Sequence, residues 1–100
     1  MDARLHPSAA FGLELGSTHI VRNAGGRARD ALESIIISQE ELGTNEVLLI
    51  KHTECGVYQD EELEGAVKDD VKFLRDHEGV KGSISGWLYD VKTGGVRNIP

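Results

Sequence analysis

Cysteine is almost absent. Cys55 is the only one, so no internal disulfide can form and packing alone must hold the framework. No apolar run approaches the roughly 20 residues that a bilayer-spanning helix needs. The first residues, "MDARLHPSAAFG", also lack the basic-then-apolar pattern of a secretory leader. Together these absences predict no membrane contact and a cytoplasmic location. Bases are scarce too: 17 acids stand against 11 Lys and Arg, for a formal charge of −6. With many acids gathered in "QDEELEGAVKDD", no basic stripe is left for phosphates, and nucleic acid is not an expected partner. Repeats, low-complexity tracts and linkers are missing, and 100 residues leave room for one small core. A single domain over residues 1–100 is expected.

What is present is an ordinary folding composition, 39% hydrophobic and 28% charged, which sets the chain apart from disordered ones. Strand-like and helix-like segments alternate along it. "STHIVRN" at 17–23 has a β-branched centre and is broken by Gly25-Gly26, which predicts a strand and turn. From Asp30 to Leu42, Ala31, Leu32, Ile35, Ile36 and Leu42 recur at helical spacing. Asp30 and Glu33 suggest a cap there, and Gly43 a stop. The apolar run at 46–51 predicts a buried strand. A second helix is expected over Asp60–His77, with Leu63, Val67, Val71 and Leu74 on one stripe, acids in its first turn and bases in its last. "SISGWLYDV" at 83–91 alternates as a strand does, and "KTGGVRNI" predicts a turn into a short terminal one. The class is α/β with a small, mostly parallel sheet flanked by helices, because a crossover helix is the simplest return between parallel strands.

"LLIKHTECGVY" puts His52 and Cys55, three residues apart, at the end of the central apolar run, where α/β folds place their chemistry. The residues alone leave three readings open. The pair is a packed histidine beside a buried thiol, part of a metal site short of the three or four protein ligands zinc takes, or a thiol nucleophile whose base has no visible orienting group. His6, His19 and His77 have no second ligand type at metal-like spacing and read as surface or strand-end residues. Gly25 and Gly26 suit either a tight turn or backbone N–H groups facing a small anion. Trp87 and Tyr89 share one side of a strand, which suits burial or a dimer contact better than substrate stacking.

"MDARL" at 1–5, "HIVRNAGG" at 19–26 and "HTECG" at 52–56, in that order, resemble the signature of the β-class carbonic anhydrases, in particular their short bacterial and fungal branch. "ALESIIISQEELGTNEVLLIKH" and "GWLYDVKTGGVRNI" resemble the same family's helix, strand and closing strand, so the likeness runs from Asp2 to Ile99. It implies a zinc enzyme for reversible hydration of carbon dioxide to bicarbonate, assembled as a homodimer or larger homo-oligomer. Hydrolysis of a related small molecule such as carbonyl sulfide is a second implied activity. A non-catalytic, truncated paralogue serving as a structural or oligomerisation partner is the alternative from another class.

By the same resemblance, His52 and Cys55 match two zinc ligands. Asp2 and Arg4 match an Asp-x-Arg dyad, in which a bidentate guanidinium orients and ionises a carboxylate that faces zinc-bound water. Zinc lowers the pKa of that water to about 7, which makes hydroxide available at neutral pH. Without the resemblance, Asp2 and Arg4 are a solvated ion pair at a frayed terminus. The family's first cysteine ligand precedes the stretch matching Met1–Arg4 and has no counterpart in residues 1–100. Asp2 is therefore a candidate third ligand, at the expense of its orienting role. The family's N-terminal arm and first, central strand are expected to be missing as well. Three outcomes are then open: a partner covers the gap, the strand order closes up, or the chain is part of a longer protein.

Overall fold

The computed structural model describes every residue from Met1 to Pro100. Three strands, β1 (Glu46–His52), β2 (Ser83–Tyr89) and β3 (Val96–Ile99), form one sheet in the order β1-β2-β3. β1 and β2 run parallel, joined through helix α3 (Leu63–Asp76), and β3 returns antiparallel along β2, so the sheet is mixed. Helix α2 (Ala28–Glu40) precedes β1, and a five-residue helix α1 (Pro7–Phe11) lies near the start of the chain. No helix is long and apolar enough to cross a membrane.

α3 is the main lid of the core. Its stripe of Leu63, Val67, Val71 and Leu74 is buried against Leu49, Ile84 and Leu88 of the sheet. Each of those large side chains contributes roughly 1.5–3 kcal/mol by leaving water. Close approach is possible because β2 carries Gly86 at its centre. A Cβ there would lie 2.4 Å from a methyl of Val67. A reciprocal bond between Gln59 and Glu62 starts the turn that leads into α3, leaving fewer orphan N–H groups at that end.

α2 begins two residues before the expected cap, at Ala28, because Arg27 is its N-cap and Asp30 lies within the first turn. It ends at Glu40, two residues before the expected Leu42, and the expected stop at Gly43, in the left-handed region at φ 73°, closes the turn that follows by returning its N–H to Gln39. α1 escaped the periodicity because five residues hold too little pattern. Only Pro7 at its start and Gly12 at its left-handed end mark it.

The expected strand at 17–23 does not form. That segment crosses the surface without a ladder partner, and its Ile20 and Val21 are 45% and 50% exposed. β-branched residues favour a strand only where a neighbour supplies the hydrogen bonds. Between this segment and β1 lies a groove of about 550 Å³, floored by Ala28, Ala31 and Ile35, with Met1 and His52 also on its lining. Asn45 C=O and Thr53 N–H both bond toward β2. By strand alternation, the backbone groups of Leu48 and Ile50 then face the groove. Of the three outcomes left open by the sequence, closure of the strand order is ruled out, since β1 is an edge strand.

Candidate metal and dyad site

The site forms where β1 ends. His52 is the last strand residue and is 6% exposed, and the chain then turns sharply through Glu54, whose φ of 53° lies in the left-handed region. The ring of His52 is fixed by an Nδ1–H that donates to Thr53 C=O at 2.7 Å. A carbonyl only accepts, so in the neutral ring the proton sits on Nδ1 and the Nε2 lone pair is free.

Asp2 reaches this nitrogen from the other end of the chain, with Oδ2 4.0 Å from Nε2. Three donors from one residue hold its carboxylate. Oδ1 accepts from the Arg4 backbone N–H at 2.8 Å and from Nε at 3.0 Å, and Oδ2 accepts from Nη2 at 2.8 Å. Arg4 is steadied in turn by Glu54, through Oε1 at 3.1 Å and the backbone carbonyl at 3.0 Å. Arg22 pins the segment itself, donating to Asp2 C=O at 2.7 Å and Leu5 C=O at 2.8 Å. The N-terminal stretch is thus tied down rather than frayed.

The hydrogen bonds from the Arg4 side chain, then its backbone N–H, hold the Asp2 carboxyl far below its ordinary value of 3.8, and the same pairing raises Arg4. A lowered folded pKa means that this pair favours the fold above the unfolded value. Its contribution fades as pH drops below about 4. Carbon-13 NMR of the Asp2 carboxyl is therefore expected to show no titration between about pH 4 and pH 8. A midpoint near 4 would contradict the pairing.

Cys55 lies in the loop three residues beyond His52, half-buried, its sulfur accepting from Val57 N–H at 3.4 Å. His52, Cys55 and Asp2 do not converge into a cluster: no group of three His, Cys, Asp or Glu side chains is placed to hold a metal ion. Both oxygens of Asp2 point into Arg4. Two donors on one metal at about 2.0–2.2 Å each would also stand closer together than its Oδ2 stands to Nε2. As a zinc site the donor set is right in kind and short in number.

Gly25 and Gly26 form a tight turn, with φ of 76° and 57°. The Gly26 N–H is spent on Asn23 C=O at 3.3 Å, and both glycine carbonyls accept from Lys51. Elsewhere, His19 lines the groove but bonds the Ser38 hydroxyl, and His77 accepts from Gly79 N–H at the end of α3. Trp87 stacks edge-on against Phe11. Sequence reasoning missed Glu54, Arg22 and Lys51. Only Lys51 left a signal, as a charge at a core-facing position of the "LLIKH" strand.

The family model for carbonic anhydrase matches residues 1–77. Beta-carbonic anhydrase 1 of Mycobacterium tuberculosis is 40% identical over 73 residues. This chain belongs to the β-carbonic anhydrase family. The match to the mycobacterial protein covers 70% of this chain and 45% of the relative, so the chain spans a little under half of that relative's length. The solved carbonic anhydrase from Glaciozyma antarctica superposes with a TM-score of 0.92 at 38% identity, covering 100% of this chain and 78% of the other. A carbon disulfide hydrolase of Acidithiobacillus thiooxidans is 28% identical over 144 residues, covering 97% of this chain and 72% of the relative.

Proposed function

We propose that this chain serves the zinc-dependent, reversible hydration of carbon dioxide to bicarbonate, contributing Asp2 and Arg4 as the dyad and His52 and Cys55 as zinc donors. The observation that carries this reading is the carboxylate of Asp2, kept ionised and locked in orientation by Arg4, facing the free Nε2 of His52. A carboxylate so held accepts a hydrogen bond from a water or hydroxide in the cleft and turns that oxygen's lone pair toward an incoming carbon. Arg4 keeps Asp2 from taking the proton itself, and Glu54 keeps Arg4 in place.

No third His, Cys, Asp or Glu side chain is placed to complete a metal site with His52 and Cys55. If Asp2 left Arg4 to supply the third donor, the metal would be held and the orienting group lost. The likeness to a carbon disulfide hydrolase supports a second reading, the hydrolysis of a linear sulfur analogue of carbon dioxide at the same cleft. We further propose that the chain works as a homo-oligomer, because the unpaired edge of β1 and the exposed Ile20 and Val21 favour association.

Stopped-flow measurement with a pH indicator, on the chain supplied with zinc, tests this. Hydration that rises with zinc and saturates supports the proposal. Sulfide release from carbon disulfide without carbon dioxide hydration favours the second reading. Zinc bound without either reaction means that Asp2 has become a ligand, and neither zinc nor turnover means a structural or oligomerisation role; both results overturn the proposal.

A further inference from the structure

Lys51 is the one lysine or arginine buried in the core, with its side chain 1% exposed. Strand alternation turns it inward beside Leu49, where an ammonium is tolerated only if its protons are bonded. All three are used: Nζ donates to Gly25 C=O at 2.8 Å, Gly26 C=O at 3.0 Å and Asp70 Oδ2 at 3.0 Å. The Tyr58 ring lies 4.7 Å away on a further side. Asp70 uses the same oxygen to accept from Ala28 N–H at 3.1 Å, at the start of α2. One amine therefore joins α3, the start of α2, the glycine turn and the loop after His52.

The glycine turn is the back wall of that loop. A Cβ on Gly25 would stand 3.0 Å from the Tyr58 ring and 3.1 Å from a Val57 methyl, and one on Gly26 would stand 2.6 Å from Ile50 C=O. Loop, turn and strand end are thus in direct contact, and the ammonium fixes the turn's two carbonyls. We propose that Lys51, paired with Asp70, is a positioning residue. Through the glycine turn and Tyr58 it holds the loop carrying Cys55 in register with His52. The inference takes the importance of Cys55 and His52 from the proposed function. Its test reads loop geometry, so either can fail alone.

Because Cys55 is the only thiol and is half-buried in the folded loop, its labelling rate with Ellman's reagent in the full chain reports how well the loop's placement shields the sulfur. Lys51→Met alone strands the Asp70 carboxylate. Adding Asp70→Asn removes that charge, while the turn's carbonyls stay unbonded. The double variant is expected to melt closer to the parent chain than Lys51→Met does, yet to label Cys55 about tenfold faster than the parent. A purely structural ion pair would restore melting and labelling together. Gly25→Ala keeps Lys51 but pushes on Val57 and Tyr58, and is expected to accelerate labelling similarly; it decides the matter if the double variant does not fold. Labelling within about twofold of the parent chain in Gly25→Ala, or in a folded double variant, overturns the proposal.

Discussion

Asp2→Asn is expected to lower carbon dioxide hydration about 10²–10⁴-fold, the range for removing a positioned acid–base group. The amide keeps the size of the carboxylate and one acceptor oxygen but loses the charge that Arg4 gathers around it. It also places an NH₂ donor where an acceptor is needed, toward the cleft or toward Arg4. Stability should change little. Arg4 is 47% exposed and Asp2 22%, and an ion pair so open to water adds little to the fold, so the melting temperature is expected to change only slightly. A large fall in melting with hydration intact would assign Asp2 to the fold and remove it from the chemistry.

How much of this was readable beforehand differs by element. The stripe of Leu63, Val67, Val71 and Leu74 is long enough for helical period to dominate, and all four positions are buried as that period requires. β1 was legible for the same reason: an apolar run of that length has few other uses. The segment at 17–23 carries equally good local strand chemistry but lies beside a groove, and a strand is defined by its neighbour. Local pattern has no access to that neighbour. β3 reverses direction because "KTGGVRN" turns within a few residues, too few for a parallel crossover.

The site divides along the same line. His52 was marked by its place at a strand end, and Asp2 and Arg4 by family likeness. That Asp2 and His52 meet across 50 residues of sequence is a tertiary fact. Glu54 was invisible because its role depends on a left-handed backbone conformation that a non-glycine residue rarely adopts. Lys51 could have been found: a lone charge on the buried face of a strand demands partners. The sequence placed His52 and Cys55 three apart, whereas the structure shows that adjacency along the chain does not bring their side chains together with Asp2 around one point.

The second large effect is expected on zinc affinity. A site with two protein donors depends heavily on each, so His52→Ala or Cys55→Ala is expected to weaken zinc binding by about 100-fold or more. Asp2→Asn should weaken it far less, since Asp2 is spent on Arg4. The size of the loss follows from number: with one donor removed, a single side chain and solvent remain, close to what any exposed histidine or thiol offers. Competition with a chromophoric chelator at pH 7 measures all three. Equal affinity in the parent chain and both donor variants would place any bound zinc elsewhere, while a large loss in Asp2→Asn would show that the carboxylate had turned from Arg4 to the metal.

X-ray absorption at the zinc edge of the loaded chain tests most directly whether the end of β1 and the loop after it form one metal site. The expected spectrum shows one sulfur neighbour at about 2.3 Å and an imidazole nitrogen at about 2.0 Å, with the sulfur shell absent in Cys55→Ala. A shell of oxygen and nitrogen without sulfur, unchanged by that substitution, would contradict it.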